Sequence, residues 1–427
     1  MTKSRRLFLK ISSLLGMGLL FKPGLKSYGK EGFSNMVMNP AAPGLLNEDK
    51  PIIGAYGNWA SGLLEKSLPS HSFRRKEWNN LSKWKREATK RLKDRIAAPD
   101  LGEVPAFTVD KQYVYDGLHI EEISWQLPTG GRSEGILLKP QAAVGPLPGI
   151  LAFHDHGGWK YFGKRKITKT SAEQHPMMVD HQKEYYGGLG WANEIAKRGY
   201  VVFVPDAFPF ASRRVRLMDM PERLRQGLTD DQPDLPENAR AYNEWAKGQE
   251  DTMAKSLFSA ATTWPGVFLA EDQKALDLLC SREDVDAERI GCGGLSGGGM
   301  RTVFMGGLDP RIKCAVCVGF MTTWKDMVLH KSFTHTWMTF VPVLPKEMDF
   351  PEILGLRVPL PTMVINSNED GLYTLSEMKE ADKILAEVFE KANAKDKYRC
   401  DFFPGGHQFD QKMQTAAFDW FDQWLKA

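Results

Sequence analysis

Cysteine is scarce in this chain, with five residues in 427. They fall at Cys280, Cys292, Cys314, Cys317 and Cys400, each inside an apolar helix-like or strand-like pattern. An odd number without regular spacing excludes a disulfide framework and reads as buried thiols. Cys314 and Cys317 have the spacing of a redox pair, but they lie within a strand-like run and read as packing. Long apolar runs are also missing. The longest near the N-terminus, Ile11 to Phe21, is well short of the ~20 residues a bilayer requires, which argues against a spanning anchor. Solenoid-type repeats and low-complexity tracts are absent. Acidic residues are missing from the first 29 positions, which hold Lys3, Arg5, Arg6, Lys10, Lys22 and Lys26. Setting these six cations aside turns the formal +3 into −3, so a basic nucleic-acid surface has no support.

Those first residues carry an address. Ser4-Arg5-Arg6-Leu7-Phe8-Leu9-Lys10 followed by a short apolar run looks like a twin-arginine export signal. Residues 1–29 are therefore expected to be a signal peptide, with Ser27-Tyr28-Gly29 supplying small residues for cleavage. The twin-arginine machinery would be the partner in transit, and the destination periplasmic or secreted. No Cys follows the apolar run, so lipoprotein processing and a stable membrane anchor are not expected.

The chain as a whole is 42% hydrophobic, enough for a large core in one catalytic domain with appended segments. Residues 30–110 read as an N-terminal extension whose charged stretch from Trp78 to Ile96 is helical and packs on the main body. Residues 111–427 read as the catalytic domain. Alternation from Val114 to Leu138 around Gly130-Gly131 predicts antiparallel strands, and Ile150–His154 and Val201–Asp206 predict buried ones. Helices are expected after Tyr186, Val267, Ser296 and Thr374 and over Phe409–Leu425. Their alternation with strands is the α/β signature: a mainly parallel sheet with helices on both faces. Two insertions, about 207–265 and 320–358, follow strand ends where specificity loops sit.

The most informative run is Gly294-Leu295-Ser296-Gly297-Gly298, directly after the strand-like Arg289–Gly293. A serine on a strained strand-to-helix turn needs neighbours without bulk, and Gly-x-Ser-x-Gly meets that demand. Downstream come Met363–Asp370, an apolar run with an acidic end, and Phe402-Phe403-Pro404-Gly405-Gly406-His407. Ser, then Asp or Glu, then His is one of the known orders of a nucleophilic triad, and each member follows a strand-like segment. Upstream, Pro148–Phe153 leads into His154-Asp155-His156-Gly157-Gly158-Trp159. Backbone N–H groups near Gly158, with that of Gly297, could face a developing oxyanion. His154 and His156 read as strand-end residues bonded to backbone, since a triad uses one His. A metal held by His154, Asp155, His156, His175 and His181 lacks the spacing of a closed site, so no metal and no cofactor are expected.

On these residues the chain resembles the α/β-hydrolase superfamily, and within it the dienelactone-hydrolase-like and acetyl-xylan-esterase-like bacterial esterases. The resembling stretch runs from about Glu122 to the C-terminus and includes Ala192–Asp206 and Asp272–Leu279. The resemblance implies Ser296 as nucleophile, His407 as base and Asp370 as acid. Where many relatives carry Gly ahead of that Asp, this chain reads Ser367-Asn368-Glu369-Asp370, so Glu369 is the alternative acid and Asp326 a more distant one.

The insertions bear on substrate. Trp159, Trp264, Trp324 and Trp337 are candidates to stack on sugar faces, and Arg213-Arg214 to grip a substrate carboxylate. With export and an ester-hydrolase core, they point to a serine carboxylic-ester hydrolase acting on polysaccharide esters: pectin methyl, acetyl or glucuronoyl. Two other classes stand beside it. One is a prolyl-oligopeptidase-like serine peptidase, which shares the Gly-x-Ser-x-Gly-Gly elbow but would need a propeller region this chain has no length for. The other is a catalytically silent binding protein on a hydrolase fold.

Overall fold

The computed structural model describes residues 50–64 and 66–426. The signal-like segment and the start of the extension lie outside the described residues.

The first strands are β1 (Phe107–Tyr115) and β2 (Leu118–Trp125). They form a hairpin across Asp116-Gly117, whose φ values of 53° and 76° suit the tight turn that matches strand twist. β3 (Ser133–Pro140) pairs antiparallel with β2 and, on its other side, with β5 (Val201–Pro205). From there β4 (Leu147–Phe153), β6 (Val285–Leu295), β7 (Ile312–Val318), β8 (Thr362–Ser367) and β9 (Tyr398–Phe403) all run parallel. The order is β1-β2-β3-β5-β4-β6-β7-β8-β9. The expected pairing from Val114 onward is present, but β1 begins at Phe107. Its side chains are mostly exposed and its register shifts between Val109 and Lys111, so the alternation that starts at Phe107 is not sustained along this edge strand.

The parallel strands are covered on both faces, which is why they read as apolar runs. Along β4, Leu151 and Phe153 join one core with the helices Trp264–Cys280, Gly297–Leu308 and Leu375–Lys391. Ile150 and Ala152 point the other way, into a second core with Trp191–Lys197 and Gln411–Leu425. A helix unmarked in the sequence pattern, Pro176–Tyr186, starts at the His175 cap with Pro in its first turn.

The charged helix of the extension spans Leu81–Ile96 and is capped by Asn80, whose side chain accepts from Lys83 N at 2.8 Å. Trp84, Ala88, Leu92 and Ile96 recur at four-residue spacing and are fully buried in the first core. Its C-terminus is tied to both insertions. Thr263 Oγ1 donates to Ile96 O at 2.6 Å, and Arg95 grips Glu347 in a two-pronged ion pair at 2.8 and 2.5 Å. All five cysteines are free, and Cys292, Cys314 and Cys317 are buried.

Candidate active site

Because β4 to β9 run in parallel, the loops leaving their carboxyl ends share one edge of the sheet. Ser296 leaves β6 there at φ 57°, ψ −118°, a left-handed backbone rare for a residue with a Cβ. The two outer glycines of the elbow have a local cause. A Cβ on either Gly294 or Gly298 would run into the carbonyl oxygen of Phe153 at the end of β4. Met300 N donates to Ser296 O at 2.9 Å, starting the helix Gly297–Leu308 at the serine.

His407 follows β9. Its Nδ1 is 2.7 Å from Asp370 Oδ2, and its Nε2 is buried without a protein partner among the described residues. With Nδ1–H donating to the carboxylate, Nε2 presents a lone pair. A Cβ on Gly319, after β7, would lie 3.2 Å from His407 Cε1 and 3.0 Å from Leu295 Cδ1, so the imidazole stands close to the elbow. No hydrogen bond joins Ser296 Oγ to His407 Nε2 in this structure. Burial alone would lower the His407 pKa, but the charge and hydrogen bond of Asp370, with the charge of Asp155, outweigh it and raise the pKa.

Of the three carboxylates considered for the acid, Asp370 is the one bonded to His407. Its other oxygen accepts from Leu372 N at 3.0 Å, which fixes the carboxylate plane. Glu369 is exposed. Asp326 is buried elsewhere, accepting from Thr322 Oγ1 at 2.8 Å and Thr374 N at 3.1 Å.

The oxyanion expectation needs a correction at Gly158. Its N–H donates to His156 Nδ1 at 3.1 Å and is thereby committed. The amide beside the elbow is that of His156: a Cβ on Gly297 would sit 2.9 Å from His156 N. The His156 ring is held from its far side. Nε2 lies 3.4 Å from Glu250 Oε1, Lys160 pairs with the same carboxylate, and Phe210 meets the ring edge-on at 5.4 Å. Burial opposes the Glu250 charge, but His156 and Lys160 hold its pKa down to about 2. Glu250 and Phe210 belong to the first insertion, so this insertion props the loop after β4.

The other histidines proposed as ligands have partners of their own. His154 is buried, with its pKa pushed down to about 3 by burial and by the charges of Arg301 and Lys166; its Nε2 accepts from Ala207 N at 3.3 Å. His181 pairs with Asp155 at 3.1 Å, and His175 caps a helix. Among the described residues no group of three or more ligating side chains could hold a metal ion.

Three proposed substrate contacts are corrected. Arg213 is buried with both prongs on Glu271, at 3.2 and 2.5 Å, and its remaining nitrogen on Thr129 O and Gly131 O at 3.1 and 2.7 Å. Four of its five N–H donors are thus committed inside the protein. Trp264 is buried against Phe208, and Trp324 is buried against Phe350 with its Nε1–H on Met348 O at 3.2 Å. Arg214 is half-buried, with its guanidinium over Tyr161 and Tyr242 at 5.0 and 5.8 Å. Trp159 is half-buried against Phe162 and its neighbours and Trp337 is exposed, so these two keep surface open to solvent. Arg213→Ala should strand the Glu271 charge and lower the unfolding free energy by about 3–5 kcal/mol, measured by urea titration. A variant of wild-type stability whose KM for a carboxylate-bearing ester has risen would return Arg213 to the substrate.

This sheet order, with helices on both faces and an elbow serine between β6 and its helix, is the α/β-hydrolase fold. A model of the prolyl oligopeptidase family matches residues 259–427. YtaP of Bacillus subtilis (strain 168), a hydrolase by designation only, is 25% identical over 309 residues, covering 72% of this chain and 88% of its own. A Bacteroides fragilis NCTC 9343 structure, assigned as an acetyl xylan esterase, aligns with a TM-score of 0.57 at 17% identity over 84% of both chains. The glucuronoyl esterase from Solibacter usitatus gives 0.57 at 14% identity, over 83% of this chain and 97% of that one.

Proposed function

We propose that this chain is a serine carboxylic-ester hydrolase acting on polysaccharide esters. The observation that carries the reading is the His407–Asp370 pair, bonded at 2.7 Å with Nε2 left unpartnered near a serine held at φ 57°. In this reading His407 Nε2 takes the Ser296 proton as Oγ attacks the ester carbonyl, and Asp370 holds the tautomer and balances the imidazolium. The amides of Gly297 and His156 receive the oxyanion. His407 returns the proton to the leaving alcohol, and water repeats the sequence on the acyl-enzyme. No step needs a cofactor. The fold shared with an acetyl xylan esterase and a glucuronoyl esterase supports sugar esters as substrates, as does the solvent-accessible surface that Trp159 and Trp337 keep.

The test is a screen of purified protein against acetylated xylan, methyl-esterified pectin and glucuronate esters, reading released acetate, methanol or alcohol. Turnover of none of them would remove the substrate class. The prolyl oligopeptidase match over residues 259–427 favours a second reading, cleavage of peptide bonds. Aminoacyl-amide substrates assayed beside aryl esters separate the two.

We further propose export in the folded state, on the strength of Arg5-Arg6 and the apolar run after them. A precursor carrying Lys at both positions should remain in the cytoplasm; unchanged export on fractionation would exclude the twin-arginine route.

A further inference from the structure

Lys166 is fully buried, directly behind the loop that carries the His156 amide. It ends the short turn Lys164–Lys166, whose start is anchored to the end of β5. Lys164 donates to Asp206 through its amide at 2.7 Å and through Nζ at 2.8 Å. From that base Lys166 Nζ donates to Asp155 O at 2.9 Å and to His156 O at 2.7 Å, above the ring of Phe210 at 4.7 Å. The nearest carboxylate oxygen, Asp155 Oδ2, stands further off at 3.9 Å. The ammonium is thus spent mainly on two successive peptide carbonyls.

That arrangement has a stereochemical consequence. The peptide from Asp155 to His156 is trans, since the cis bonds among the described residues are Phe208-Pro209 and Val358-Pro359. In a planar trans peptide C=O and N–H point in opposite directions. A cation holding the Asp155 carbonyl therefore aims the His156 N–H away from itself, and that nitrogen is the one lying against Gly297. The second held carbonyl, that of His156, stops the unit from rocking. The glycines that follow, at φ 45° and 72°, give the loop no stiffness of their own.

Resting on the serine-hydrolase reading above, we propose that Lys166 is the positioning residue of the oxyanion hole: it fixes the His156 amide by gripping the carbonyls behind it, and its charge reinforces their dipoles. An amide set for an oxyanion acts on the transition state more than on the bound ester. Loss of the grip should therefore appear in kcat and not in KM.

The experiment is Lys166→Met, which keeps the length and volume of the side chain but removes donor and charge. With 4-nitrophenyl acetate kcat should fall by about 100-fold with KM within about twofold, the range seen when one oxyanion donor is lost. Affinity for phenylboronic acid, which forms a tetrahedral anion on the serine, should fall by a similar factor. Binding of an unreactive amide analogue of the ester should hold. A folded variant with wild-type kcat and boronate affinity overturns the proposal, as does an equal loss in kcat and in analogue binding. If the variant does not fold, the wild-type protein carries the test: phenylboronic acid should shift the 15N-labelled His156 amide downfield, and an unmoved resonance overturns the assignment. Wild-type protein that neither turns over aryl esters nor reacts with a fluorophosphonate at Ser296 would remove the underlying reading instead. Wild-type turnover beside an unchanged Lys166→Met variant removes only this one.

Discussion

Ser296→Ala should leave the protein folded and cut ester turnover by a factor on the order of 10³ or more. The two halves of that expectation have separate causes. Ser296 is only partly buried, so removal of its hydroxyl opens no core cavity. The backbone at φ 57° is held by its surroundings, through Ser296 N on Val318 O at 2.9 Å and through the close approach of Gly294 and Gly298 to Phe153 O. Alanine meets the same strain as serine there. Thermal melts of the two proteins should coincide within a degree or so, while a burst assay with an aryl ester finds no acyl-enzyme. Turnover near wild type in the variant would dismiss Ser296 as the nucleophile, whatever the fold suggests.

Asp370→Asn carries the second large effect, up to ~10⁴ in turnover by analogy with the same change in a serine protease. An amide at this position offers a donor to His407 Nδ1, turning the ring to the tautomer whose Nε2 holds a proton and cannot accept one. The pH profile makes the test sharper. His407 must be neutral to act as base, so activity is lost as pH falls through its pKa. With Asp370 present that pKa is raised above the ordinary imidazole value despite burial, so the acid limb of kcat/KM for wild type should lie above pH ~6.5. Without the carboxylate, burial is the larger remaining influence and the limb should move to lower pH. Glu369→Gln, at an exposed site, should leave both rate and profile nearly unchanged. Asp326→Asn should act on stability, because its carboxylate serves Thr322 and the Thr374 amide. A larger rate loss for either of these than for Asp370→Asn would reassign the acid.

What could be read from the sequence was whatever rests on sterics and on chain order. The elbow is legible because only glycine tolerates the approach of Gly294 and Gly298 to Phe153 O. The parallel strands are legible because burial on both faces forces continuous apolar runs. The residues misjudged are those whose role is set by partners distant in the chain. Arg213 beside Arg214 looks like a free cationic fork until Glu271, 58 residues on, is found opposite it. Trp264 and Trp324 carry the same side chain as Trp337, and only packing separates the buried from the exposed. Gly158 stands out by the His-Gly-Gly run at a strand end, whereas the direction of an amide depends on the planes of its neighbours. Lys166 stood third in a basic run, Lys164-Arg165-Lys166, whose ordinary reading is a solvated face. Nothing local marks one of these three as a buried strut.

The tie between the Leu81–Ile96 helix and the two insertions also fixes an order of events during synthesis. Arg95 finds Glu347 across 252 positions, and Ile96 O finds Thr263 across 167. An early-made helix of this kind must wait, its apolar stripe of Trp84, Ala88, Leu92 and Ile96 uncovered, until most of the chain has left the ribosome. Closure of the N-terminal segment is thus a late step that reports completion of the body behind it. A chain cut short before residue 263 would lack both the Thr263 hydrogen bond and the Trp264–Cys280 helix on which that stripe packs, and should expose it as a handle for chaperones and proteases.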